Sequence, residues 1–99
     1  MIHLAKVEGF DWDEGNARKN ERHGVTAAEA EQVFFNVPLL LLDDSHHSDS
    51  EIRYHALGKT SVGRRLHLSF TLRNDDTKIR VISVRNMSRK ERTIYEQAP

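Results

Sequence analysis

The chain has 99 residues and a formal net charge of zero at pH 7, with 15 basic and 15 acidic side chains. This length suits a single domain, residues 1–99, and the absence of cysteine excludes a disulfide framework and a thiolate site. The sequence has neither a signal-peptide pattern nor an apolar run long enough to cross a membrane. We therefore expect a soluble cytoplasmic protein.

The zero net charge hides a division between the two halves of the chain. Residues 1–50 contain four Lys/Arg and ten Asp/Glu, a net charge of −6, whereas residues 51–99 contain eleven and five, a net charge of +6. Such asymmetry favours an anion-binding face built from the second half. The alternative is that the two halves pair with each other in the fold.

The first half predicts a short strand followed by two helices. After the strand-like segment "KVEGFDW", Asp13 can cap a helix over Glu14–His23, which Gly24 can end. The sequence "TAAE", Thr26–Glu29, is a capping box that opens a second helix ending near Phe35.

The second half predicts four strands and a last helix. "LLLLDD" and "IRYHALG" are strand-like, and "KIRVISVR" is apolar on both faces, as in a central strand. "SRKE", Ser88–Glu91, is a capping box that starts the final helix. "RRLHLSFTLR" alternates strictly, with Leu66, Leu68, Phe70 and Leu72 on one face and Arg65, His67, Ser69, Thr71 and Arg73 on the other.

These elements predict an α+β fold in the order β-α-α-β-β-β-β-α. Hairpin-length loops make the later strands antiparallel, so we expect a twisted, mainly antiparallel sheet of four or five strands. The two N-terminal helices and the C-terminal helix are expected to pack on one face of this sheet.

Several charged side chains could gather beside the polar face of the strand over residues 64–73. Guanidinium groups match phosphate oxygens two at a time, so the ligand that such a concavity predicts is phosphate. The alternative is internal ion pairing, by Arg53 with Glu51 and by Arg85 with Glu91. The residues that could line the concavity are Glu51, Arg53, Arg65, His67 and Arg85.

The six histidines raise the question of a metal site, above all in the loop "DDSHHSD", residues 43–49. The spacing lacks an HExxH helix or a cysteine pair, so a solvated loop is favoured and no metal or other cofactor is expected. His23, on the last turn of the first predicted helix, could act as an acid or base, with a simple helix cap as the alternative.

The order and spacing of several motifs resemble the BrnT toxins of bacterial type II toxin–antitoxin systems, although no single motif is diagnostic. The resemblance runs from about residue 10 to residue 96. It is carried by "FDWD" at Phe10–Asp13, "NERHGV" at Asn20–Val25, "VF" at Val33–Phe34, "HSDSEIRY" at His47–Tyr54, Gly58, "GRRLHLSFTLR", "IRVISVRNMSRKER" and "YE" at Tyr95–Glu96.

The resemblance implies a RelE-like fold and a cytoplasmic ribonuclease that inhibits translation. It also implies a cognate BrnA-like ribbon-helix-helix antitoxin, which neutralises the toxin and binds operator DNA. The toxin is expected to form either a dimer or a hetero-oligomer with this antitoxin. Cleavage of RNA by its own 2′-OH needs a base, an acid and cations around the phosphorus, and no metal is obligatory.

Carried over residue by residue, the resemblance implies five site residues. His23 is the acid or base, and Arg53, Arg64 and Arg85 are phosphate ligands, with Glu51 as a second candidate base. A competing hypothesis is a non-catalytic interaction module that only docks an antitoxin-like partner, which the modest apolar content and the acidic first half support.

Overall fold

The computed structural model describes residues 4–15, 18, 24–44 and 52–98. Within these residues, five strands form one sheet and two helices are bounded. The elements are β1 Gly9–Phe10, α1 Ala27–Val33, β2 Leu40–Asp44, β3 Arg53–Lys59, β4 Arg65–Arg73, β5 Lys78–Asn86 and α2 Arg89–Glu96.

The sheet has the strand order β1-β5-β4-β3-β2. Strand β1 is parallel to β5, and the other neighbours are antiparallel. The prediction of an α+β fold with a mainly antiparallel sheet of four or five strands is therefore confirmed.

The predicted helix count and order do not match this architecture. The described residues hold two bounded helices in the order β-α-β-β-β-β-α, not three in the order β-α-α-β-β-β-β-α. Glu14, Gly15 and Arg18 are helical, but the rest of the helix predicted over Glu14–His23 lies outside the described residues.

Both predicted capping boxes are present. In α1, the Glu29 backbone N–H donates to Thr26 Oγ1 at 3.1 Å, and the Thr26 N–H donates to Glu29 Oε1 at 3.0 Å. In α2, the Glu91 N–H donates to Ser88 Oγ at 3.1 Å, and the Ser88 N–H donates to Glu91 Oε1 at 2.8 Å. Reciprocal bonds of this kind satisfy the first free donors of a helix, which explains why these short helices begin where the sequence indicates.

The prediction that the helices share one face of the sheet is wrong for α1 and α2. Ala56 and Leu57 are consecutive in β3, so their side chains point to opposite faces. Ala56 belongs to the main core with Val33 of α1, whereas Leu57 packs with Tyr95 of α2. We call the α1 side the apolar face, and its core consists of Val25, Ala30, Val33, Ala56, Leu66, Leu68, Phe70, Ile79, Val81 and Val84.

A β-bulge in β5 keeps the other face polar. Ser69 pairs with Ser83 and Phe70 with Val81, so Ile82 is an extra residue in β5. Strict alternation would put Val81 on the same face as Arg85, but the bulge reverses the side on which Val81 points. Val81 and Val84 are consequently both buried in the apolar core, while Arg85 is opposite His67 on the other face.

Candidate active site

The second face of the sheet, which we call the polar face, carries side chains from three adjacent strands. His55 of β3 pairs with Ser69 of β4, and His67 of β4 pairs with Arg85 of β5. The first turn of α2 brings Glu91 against this face. We call His55, His67, Ser69, Arg85 and Glu91 the polar-face cluster.

Two imidazoles form the centre of the cluster. His55 Nδ1 lies 3.0 Å from His67 Nε2, and Ser69 Oγ lies 3.2 Å from the same His55 nitrogen. A hydrogen bond between two ring nitrogens needs one donor and one acceptor, whereas a protonated imidazole has only donors. The two histidines therefore cannot both be imidazolium cations in this arrangement.

Glu91 connects the histidine pair to Arg85. Arg85 Nη1 donates to Glu91 Oε1 at 2.7 Å and Nη2 donates to Oε2 at 2.9 Å, a two-pronged contact. Glu91 Oε2 also lies 3.9 Å from His67 Nε2. The hydrogen bonds from Arg85, together with that from the Ser88 backbone, lower the pKa of Glu91 to about 2, so its carboxylate is ionised.

The surroundings of His67 favour its neutral form. Its side chain is only 12% exposed. Burial, and then the nearby Arg85 charge, lower the pKa of His67, and the Glu91 carboxylate opposes them. Its buried Nδ1 has no hydrogen-bond partner among the described residues. A neutral imidazole can accept a proton, but His67 Nδ1 is buried and Nε2 contacts His55, so a proton from a ligand would enter through the histidine pair rather than at His67 directly.

The paired state of Glu91 predicts a pH-dependent contribution to stability. Because the folded-state pKa of Glu91, about 2, lies below its ordinary 4.5, this stability is present above pH 4.5 and is lost as the pH falls toward 2. Since Arg85 is half exposed, we expect roughly 1–2 kcal/mol after solvent screening. Urea unfolding of the wild type and Glu91→Gln across this window measures the contribution as the difference between the two curves. A constant difference at all pH values would contradict it.

The structure does not bring the sequence-predicted arginines together. Arg85 lies in the polar-face cluster. Arg64 instead donates to Gly24 O at 2.7 Å, Glu29 Oε2 at 3.1 Å and Asn86 Oδ1 at 2.9 Å, on the side of α1. Internal pairing, the alternative considered for the arginines, is thus present for Arg85 and also for Arg64.

The other predicted site residues are placed less completely. Arg53 is exposed at the start of β3, two residues from His55 and on the same face of the strand. That separation is about 7 Å. Arg53 thus lies beside the His55 end of the cluster. His23 and Glu51 lie outside the described residues, as do residues 45–50 of the histidine-containing loop. In the part of the chain that is described, no three His, Asp or Glu side chains converge as a metal site would require.

The two halves of the chain pair with each other in several places. Arg80 contacts Asp11 at 3.5 Å and also Asp13, and Lys78 lies 3.8 Å from Glu8. With the Arg64–Glu29 pair, these contacts neutralise much of the charge asymmetry. Three cations of α2, namely Arg89, Lys90 and Arg92, are exposed and form no ion pair with any described residue.

Sequence reasoning missed two members of the cluster, His55 and Ser69, and considered Glu91 as a capping residue and a possible partner for Arg85, not as a site residue. The usable signal was the alternation in "RYHAL", which puts His55 on the opposite face from Ala56. This alternation does not give the register of β3 against β4. That register brings His55 beside Ser69 and His67.

Fold and cluster together define a small α+β protein with an acid–base cluster on one face of its sheet. A family model described as "Ribonuclease toxin, BrnT, of type II toxin-antitoxin system" matches residues 12–91, and the chain belongs to this family. The predicted resemblance is confirmed, and membership implies an antitoxin partner. A comparison with individually curated proteins found no match. Neither helix in the described residues has the length and apolarity needed to cross a bilayer.

Proposed function

We propose that this protein is a metal-independent endoribonuclease that cleaves RNA in the cytoplasm and so inhibits translation. The observation that supports this best is the 3.0 Å contact between His55 and His67 beside the Arg85–Glu91 pair, in a chain of the BrnT toxin family. A cognate BrnA-like ribbon-helix-helix antitoxin, bound to operator DNA, would neutralise the activity in a hetero-oligomer.

The proposed reaction is attack of a ribose 2′-OH on the adjacent phosphate. The histidine pair takes the 2′-OH proton, the O2′–P bond forms and the P–O5′ bond breaks. A proton from an acid, for which His23 is the sequence-based candidate, goes to the departing 5′-oxygen. The products are a 2′,3′-cyclic phosphate and a 5′-hydroxyl end, and no oxidant, reductant or metal is needed to balance the step.

The charges of the cluster suit the base role. When the histidine pair accepts a proton it becomes a single cation, and the ionised Glu91 carboxylate 3.9 Å from His67 Nε2 stabilises that cation. Burial lowers the pKa of His67, which favours its neutral form. The base and the group that stabilises its conjugate acid are thus adjacent.

Arg85 remains able to bind phosphate although it is paired. A guanidinium has five N–H donors. Arg85 uses three of them in contacts with described residues, two to Glu91 and one to the Asn86 carbonyl, which leaves two. Its side chain is 50% exposed, so these donors can reach a ligand. We propose that they contact the non-bridging oxygens of the scissile phosphate, with Arg53 as a second candidate ligand on the same face.

Purified protein and RNA provide the test of this proposal. We expect cleavage that persists in excess chelator and leaves 2′,3′-cyclic phosphate and 5′-hydroxyl ends. In cells, induction without the antitoxin is expected to stop translation, and co-expression of the antitoxin is expected to restore it. Intact RNA together with tight antitoxin binding would instead support the non-catalytic docking module. Loss of cleavage in chelator would contradict metal independence.

A further inference from the structure

An open pocket of about 360 Å³ adjoins the polar-face cluster at the end of the sheet. Its lining is mainly polar and comes from the β3–β4 turn, the ends of β4 and β5, and α2. The lining residues are Gly63, Arg65, Asn86, Met87 and Arg92. Two guanidinium groups therefore face a single concavity that no part of the proposed catalytic step uses.

The two guanidinium groups are available to a ligand. Arg65 contacts Glu96 at 2.5 Å, but both side chains are about half exposed, and exposed pairs of this kind are weak and exchangeable. Arg92 forms no ion pair with any carboxylate in the described ranges.

The pocket is displaced by two residues along β4 from the proposed position of the scissile phosphate. Arg65 and His67 lie two residues apart on one face of β4, which corresponds to about 7 Å. Asn86 follows Arg85 in the chain, and Arg92 follows Glu91. This displacement is similar to the spacing of neighbouring phosphates in a single strand.

We infer that this pocket binds the internucleotide phosphate adjacent to the one that is cleaved, with Arg65 and Arg92 as its ligands. The inference rests on the proposed ribonuclease function and adds a substrate-binding subsite to it. Planar guanidinium forks match the oxygens of a phosphodiester. In the free protein, the Glu96 carboxylate pairs with the Arg65 guanidinium. When the substrate binds, its phosphate replaces that carboxylate.

The geometry of α2 supplies a matched control. Arg92 and Glu96 are four residues apart and lie on the flank of the helix that faces Arg65. Lys90 precedes Arg92 by two residues, which places it on a different flank. Arg92→Ala and Lys90→Ala therefore remove the same charge from the same helix, but only the first changes the pocket.

Binding of a short, uncleavable 2′-O-methyl oligoribonucleotide of mixed sequence tests the inference by fluorescence anisotropy. We expect Arg92→Ala to weaken binding by about tenfold and to reduce the slope of log K against log salt by about 0.7. Lys90→Ala is expected to change binding by no more than about twofold. Glu96→Gln removes the competing carboxylate and is expected to tighten binding. In cleavage assays, Arg92→Ala is expected to raise KM far more than it lowers kcat.

The outcomes separate this inference from the proposed function. Equal effects of Arg92→Ala and Lys90→Ala, or unchanged binding by Glu96→Gln, would overturn the pocket assignment even if the wild type cleaves RNA. A second outcome is that Arg92→Ala weakens oligonucleotide binding while the wild-type protein cleaves no RNA. This would support the pocket and contradict the ribonuclease proposal. Circular dichroism of each variant confirms that the comparison is made between folded proteins.

Discussion

Replacing His67 by glutamine is expected to slow RNA cleavage by about 10²–10⁴-fold, the usual contribution of a positioned acid–base group. Glutamine can keep a hydrogen bond to His55, but it cannot share a proton with it. The pH profile of kcat/KM distinguishes chemistry from structure. In the wild type, the acid limb of this profile is the range in which activity decreases as the pH falls. We expect it to lie below the ordinary histidine pKa of 6.5, because burial lowers the pKa of His67. In His67→Gln that acid limb should move or disappear.

Ser69→Ala is the matched control for His67→Gln. It removes a different hydrogen bond to the same His55 nitrogen, the 3.2 Å contact with Ser69 Oγ, without removing a titrating group. A neutral hydrogen bond contributes about 1 kcal/mol, so the expected loss of rate is only about fivefold. An unchanged rate and an unchanged acid limb in His67→Gln would show that the histidine pair is structural and not part of the reaction.

Arg85→Ala is expected to lower the cleavage rate by about 10²–10³-fold, as the loss of a preorganised donor to a developing phosphorane does. Arg85→Lys should recover only part of this loss, because an ammonium keeps the charge but not the fork that holds Glu91 and phosphate together. Single-turnover cleavage rates of the three proteins, with circular dichroism to verify folding, measure the effect.

Arg64→Ala provides the comparison for Arg85→Ala, since it removes an equal charge from the opposite side of the same sheet. Arg64 is held by Gly24, Glu29 and Asn86, so we expect its loss to reduce the free energy of unfolding by about 1–3 kcal/mol. The cleavage rate per folded molecule should change little. Full activity in Arg85→Ala, or equal losses in both folded variants, would contradict the placement of the phosphate at the polar-face cluster.

The parts of the fold that could be predicted are those set by neighbours in the sequence. The Thr26 and Ser88 capping boxes begin α1 and α2, since the residues that satisfy one another are three positions apart. The alternation of β4 likewise separates Leu66 and Leu68, both buried, from His67, which is on the other face. Such patterns need no knowledge of the partner strand.

The candidate site was only partly predictable for the opposite reason. His67 and Arg85 stood out in the sequence, but nothing local indicates that His55 lies 3.0 Å from His67 or that Arg64 faces α1. Those contacts depend on the register between strands and on the side chosen by each helix. Both are settled by which apolar surfaces can be buried together.

The sequence by itself determined the α+β class, the positions of the described strands and helix starts, and membership of the BrnT toxin family, because these follow from periodicity, capping and the order of motifs. Tertiary structure alone decided that α1 and α2 cover opposite faces, that the bulge at Ile82 keeps Val81 out of the polar face, and that Glu91 joins Arg85 to the histidine pair. The physical reason is that burial and ion pairing act between residues far apart in the chain, whose distances local sequence cannot encode.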